Sequence, residues 1–121
     1  YEWKNLGDHK QPYYITVPDD PLFAFAGLYE QATGADGEPI ESYTIITTEP
    51  NALMATLHTR MPVILHPQDE EEWLNPEVTD PAQVERLLLP YPADEMEAWP
   101  VNRKVGNTRN NGPDLIEPVE D

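Results

Sequence analysis

Tyr43-Thr44-Ile45-Ile46-Thr47-Thr48, Glu49-Pro50-Asn51-Ala52-Leu53-Met54-Ala55-Thr56-Leu57 and His58-Thr59-Arg60-Met61-Pro62-Val63-Ile64-Leu65 follow one another without a break, and their reading decides the fold. The first piece is β-branched and aromatic, so it reads as a strand. Thr48 is a good helix N-cap, and Leu53, Met54 and Leu57 fall on one face of the short helix expected next. His58 sits where that helix should stop. Met61 to Leu65 then reads as a buried strand. The unit places His58 and Arg60 at a helix C-terminus beside the core. A helix C-terminus favours a protonated imidazole, so His58 is expected to hold a proton near neutral pH.

Outward from this unit the chain is punctuated by turns. Tyr1 to Trp3 reads as the end of a strand, Leu6 to His9 carries the turn signal Gly7-Asp8 and Gln11 to Val17 is a second strand, so Tyr1 to Val17 is read as a hairpin. Leu22 to Glu30 is continuously apolar and predicts a buried strand. Gln31 to Glu41 contains Gly34, Gly37 and Pro39 and predicts an exposed loop, after which Glu41 to Thr48 returns as a second hairpin. Asp69 to Glu72 supplies acids for the first turn of a helix that Asn75-Pro76 stops. Asp80-Pro81-Ala82-Gln83 has the N-cap, N1 proline and third-position glutamine of another helix start. Met96 to Val101 predicts a strand, and the acidic end Glu117 to Asp121 is expected to fray. Fourteen prolines and short strands point to an irregular α+β domain rather than an alternating α/β one.

Composition narrows the class further. The 121 residues suffice for one domain with a modest core, so residues 1–121 are read as a single domain. No signal peptide is visible, and no apolar run reaches the roughly 18 residues of a membrane span. A cytoplasmic protein without a membrane partner is the expectation. With no cysteine, disulfides and thiolate metal sites are excluded. The net charge is −16, with 23 acids against seven cations. Such a surface repels phosphate at low salt. It fits either a solubilising acidic surface or a halophile's cytoplasm, where the Debye length falls to about 3 Å at 1 M salt. In the second case overall acidity does not argue against DNA, because local basic residues do the binding.

Few residues can carry chemistry. Read alone, His58 is as well explained as a core-edge histidine capping the last carbonyls of its helix. Glu2 lies between Tyr1 and Trp3, and a strand aims its side chain away from both aromatics. A carboxylate and an imidazole in one pocket make an acid–base pair. Trp3 is either a hairpin tryptophan or a stacking platform for a nucleobase. Arg60 can hold a phosphate or pair with a carboxylate. Arg103, Lys104 and Arg109 form a small basic stretch or simply solvated loop cations. Glu30 reads as a strand-end charge. His9, His58 and His66 share no metal-ligand spacing. There is no Gly-x-Ser-x-Gly elbow and no glycine-rich phosphate loop. No metal and no cofactor are called for.

The stretch from Ser42 to Leu65, with His58-Thr59-Arg60-Met61-Pro62 at its centre, resembles the SOS-response-associated peptidase (SRAP) family. So do Tyr1-Glu2-Trp3-Lys4, Lys10-Gln11-Pro12-Tyr13-Tyr14-Ile15, Phe23 to Glu30, and Trp99-Pro100-Val101 with Val105-Gly106-Asn107. Five motifs in the family's order are specific where each alone is weak. The resemblance implies a twisted, mainly antiparallel, barrel-like sheet with a few short helices. It implies recognition of abasic sites in single-stranded DNA, with an N-terminal cysteine that condenses with the sugar aldehyde into a DNA–protein cross-link. The same machinery removes the initiator methionine. By the resemblance Glu2 and His58 are the catalytic acid–base pair; the reading of the residues themselves adds Trp3 as the base-stacking residue and Arg60 as a phosphate contact.

This chain departs from that pattern in having no cysteine and in beginning at Tyr1. Two expectations follow: it is the later part of a domain whose N-terminal part lies elsewhere, or it is a degenerate paralogue. Either way the nucleophile is absent from these residues, and whether the chain is an enzyme stays open at this point. An open sheet edge at Tyr1 would allow self-association. The alternative function is a non-catalytic acidic module that binds a protein partner.

Overall fold

The computed structural model of the chain describes residues 1–120; Asp121, the last residue of the tail expected to fray, lies outside them. Strands β1 (Glu2–Asn5), β2 (Lys10–Thr16), β3 (Ala24–Phe25), β4 (Gly27–Thr33), β5 (Pro39–Ile45), β6 (Thr47–Thr48), β7 (Met61–Pro62) and β8 (Ile64–Leu65) precede helices α1 (Pro67–Leu74) and α2 (Pro81–Glu85), and β9 (Glu97–Pro100) follows them. The four ladders β1–β2, β2–β9, β3–β8 and β4–β5 are antiparallel, two of them hairpins and two between distant segments, and the helices are short, so the α+β class expected from the sequence is what forms. Among the described residues the ladders do not close into a barrel. No helix among them is long and apolar enough to cross a membrane.

The chain makes two compact units. The first comprises Tyr1–Pro21, Glu49–Met61 and Pro92 onward. Its sheet has the order β1-β2-β9, so β1 stands at an edge. Gly7, with φ of +94°, turns the chain between β1 and β2, a conformation that costs glycine little. The register opposes Trp3 to Pro12 and Tyr14 to Trp99. Because side chains alternate, Tyr1, Trp3, Tyr14 and Trp99 share a face. Their rings form a chain of tilted contacts with centroids 5.4–6.3 Å apart, within the favourable range. Buried Val17, Met54, Leu57, Met61, Met96 and Val101 form the apolar interior.

Asn51 organises that interior. Its Oδ1 accepts from the Met54 N–H at 2.9 Å, its own N–H donates to the Met61 sulfur, and its Nδ2 donates to the Met96 sulfur. Thioether sulfur accepts weakly, which lets a polar side chain sit between two methionines. Two expectations are corrected here. The helix after Thr48 is a single 3₁₀ turn, Met54–Thr56, and Thr48 lies in β6; the side chain that caps the turn is Asn51. Proline at position 50 and the bond from Asn51 together delay the start, because the cap must stand outside the helical residues it serves. The tail is also anchored: Pro118 bridges Val101, and the Val119 N–H donates to the Pro100 carbonyl at 2.9 Å.

The second unit comprises Leu22–Thr48 and Pro62–Tyr91. Ala26, Val63, Leu65 and Leu87 form its core, with Ile46, Trp73 and Leu88 packed against them. Three backbone bonds lace the centre: Ala26 N–H to the Val63 carbonyl, Val63 N–H to Ile46, and Ile46 N–H to Ala26. Helix α1 stops at Asn75 and α2 is capped by Asp80, whose Oδ1 accepts from the Ala82 N–H at 3.0 Å, as the sequence predicts.

The apolar run Leu22 to Glu30 is not one buried strand. It breaks between β3 and β4, and Leu28 and Tyr29 are 58 % and 84 % exposed. The hairpin β4–β5 extends Gln31 to Thr33 and resumes at Pro39, so the loop is only Gly34 to Glu38. Apolar composition cannot reveal that nothing among the described residues packs over a hairpin.

Candidate functional site: a groove along the edge of the first strand

The register of the first hairpin fixes what faces where. Trp3, Lys4 and Asn5 form one wall of a groove of about 570 Å³, with Lys10 beside Asn5 across the hairpin. Pro50 and the segment Ala55-Thr56-Leu57-His58-Thr59 form the other. The site therefore runs beside the edge strand β1, facing the single 3₁₀ turn and the residues that follow it.

His58 reaches this groove because its own loop holds it. Its N–H donates to the Met54 carbonyl at 2.9 Å, closing the turn. Its Nδ1 accepts from the Arg60 N–H at 3.1 Å and lies 3.2 Å from the Arg60 carbonyl. A neutral ring accepts from the first group, and a protonated ring donates to the second, so the loop orients the imidazole in either state. Nε2 makes no hydrogen bond among the described residues. The expected field of a helix terminus is replaced by these short-range contacts, since three residues align few peptide dipoles.

Trp3 is 38 % exposed, and its indole lines the groove. Glu2 does not line it, and its Oε1 accepts from the Trp3 N–H at 2.9 Å. Arg60 meets His58 through its backbone, and its side chain is not part of the groove wall. Of the four residues expected at the site, the fold thus brings together Trp3 and His58. Arg103 and Lys104 lie in a 3₁₀ turn, Arg103–Gly106, where the Lys104 ammonium pairs with Asp114.

Lys4 and Lys10 went unnoticed as candidates. Nothing in a lone lysine marks it, but the hairpin register could have drawn attention to them: Asn5 opposes Lys10 and Lys4 opposes Gln11, which puts both cations at the same end of β1.

Residues 1–108 match the family model described as SOS response associated peptidase (SRAP). The chain belongs to the SRAP family. It is 52 % identical over 118 residues to the abasic site processing protein YoqW of Bacillus subtilis, covering 97 % of this chain and 53 % of that one. It is 33 % identical over 121 residues to the abasic site processing protein YedK of Escherichia coli, covering 98 % and 54 %. A crystal structure of a Bacteroides thetaiotaomicron protein superposes with a TM-score of 0.88 at 35 % identity, covering 98 % of this chain and 53 % of that one. This SRAP chain thus spans about half the length of the relatives it matches.

Proposed function

We propose that this chain is the part of an SRAP domain that recognises abasic sites in single-stranded DNA. The observation that carries the reading is one groove walled by an exposed indole, Trp3, and an oriented imidazole, His58. Stacking on an aromatic ring is worth about 1–3 kcal/mol per base and tolerates any sequence, which suits a lesion without a base of its own. His58 Nε2 exchanges protons with the opened sugar, and Glu2 is its acid–base partner. For that work the Glu2 carboxylate must leave the Trp3 amide. Arg60 adds a phosphate contact beside the groove. The two units belong to one domain, a reading supported by a family match that runs through both.

Covalent capture of the aldehyde and removal of an initiator methionine both need a thiol, and these residues carry none. What this chain supplies is reversible recognition and proton transfer. A cytoplasmic location belongs to this reading as the expectation for a DNA partner. The test is anisotropy titration of single-stranded oligonucleotides, intact or with one abasic site, from low to molar salt. A preference for the abasic strand that weakens in His58→Ala supports the reading; equal affinity at every salt overturns it.

A second reading, a protein-interaction module, is favoured by the exposed β4–β5 hairpin, where Tyr29 opposes Tyr43 and both are about four-fifths exposed. Self-association through the edge of β1 belongs to the same reading. Sedimentation across a concentration series would expose it as a mass above that of one chain.

A further inference from the structure

The groove is an electrostatic exception on this protein. Acids outnumber cations 23 to seven, and in proportion ten residues would carry about two acids. The ten residues that line the groove include none, and they include two of the three lysines together with His58. Elsewhere two cations are neutralised locally: Arg86 pairs with Glu72 and Lys104 with Asp114. Neither Lys4 nor Lys10 forms an ion pair among the described residues. Lys4 is half-buried and Lys10 exposed, and both line the groove.

We propose that Lys4 and Lys10 are phosphate contacts that hold the strand backbone along the edge of β1 while Trp3 stacks on a neighbouring base. This deepens the DNA reading above and rests on it. An ammonium is a compact point charge with three donors, suited to a phosphate approaching from any of several directions. Each phosphate neutralised on a single strand releases counterions and contributes about −0.7 to the slope of log affinity against log salt. On a chain of net charge −16 these two lysines are the local attraction that overcomes general repulsion.

The experiment measures that slope for the chain and its variants on a single strand bearing one tetrahydrofuran abasic analogue, in potassium chloride from 50 mM upward. Lys4→Gln and Lys10→Gln should each flatten the slope by about 0.7, and the double variant by about 1.4. Between 50 and 200 mM salt the double variant then loses roughly sevenfold less affinity than the parent. Lys104→Gln, at the paired lysine, should leave the slope as it was. Lys4→Arg and Lys10→Arg should restore it, and they keep the test valid if a glutamine variant is unstable. A parent that binds while the double variant keeps its full slope overturns this inference alone. A parent that does not bind at any salt overturns the DNA reading and this inference with it.

Discussion

His58 Nδ1 accepts a hydrogen bond from the backbone N–H of Arg60, 3.1 Å away. The groove histidine is thus held by the backbone of the residue two positions later, not by a partner from another strand. His58→Ala removes that bond, with a net cost of about 0.5–1.5 kcal/mol. His58→Asn places an acceptor near the position of Nδ1. Thermal melts should show a lower Tm for the alanine variant and a nearly unchanged one for the asparagine variant. Both should lose proton transfer at Nε2. Equal Tm losses would mean that the bond does not hold the loop.

Asn51 bridges the 3₁₀ turn and two methionine sulfurs. Asn51→Ala leaves the Met54 N–H without its cap and should cost about 1–2 kcal/mol. A fall in Tm of several degrees is expected, with a more mobile His58 by hydrogen exchange across residues 54–60. An unchanged exchange pattern would show that the turn stands without its cap.

Trp3 is partly exposed at the sheet edge, and the proposed DNA reading makes it the stacking residue. Trp3→Ala should weaken single-stranded DNA binding by about 1–3 kcal/mol, roughly fivefold to 150-fold, and Trp3→Phe by much less. The comparison of the two by anisotropy separates a ring requirement from a general loss of surface. Equal losses would sink the stacking role.

The Lys104 hydrogen bond holds the Asp114 carboxyl below its ordinary value of 3.8. A depressed folded-state value means that the pair stabilises the fold above that ordinary value, and that the stabilisation is lost as pH falls through the lower, folded one. Both side chains are solvent-exposed, so the effect on stability is small. Carbon-detected titration should find Asp114 below 3.8 and, in Lys104→Gln, returned towards it. An Asp114 value that ignores the lysine would refute the pairing.

Net charge of −16 implies self-repulsion that salt relieves. Tm should rise between 0.1 and 1 M potassium chloride, as expected for a protein suited to high salt. A flat Tm would mean that the acids are spaced widely enough to cost the fold little.

The sequence read well where a single residue type forces local geometry. Asp80 before Pro81 started α2, Asn75 ended α1, and Gly7 turned the first hairpin, because each acts on its own backbone. It read poorly where apolar character was taken as burial. Leu28 and Tyr29 look like core and stand in solvent, because exposure depends on what packs above them. At the site, His58 and Trp3 were found by motif, while Lys4 and Lys10 were passed over because a lysine carries no signature until its neighbours are known.

Composition and local chemistry determined the acidity of this protein, the absence of thiol chemistry from these residues, the antiparallel α+β class and the turns that divide the chain. Only the tertiary structure decided that Trp3 and His58, 55 positions apart, wall one groove, that Glu2 does not line it, and that two lysines gather there without an acid. The reason is physical. Backbone preferences are settled within a few residues, whereas a groove is made by pairing register and by which side of an edge strand a later loop comes to face.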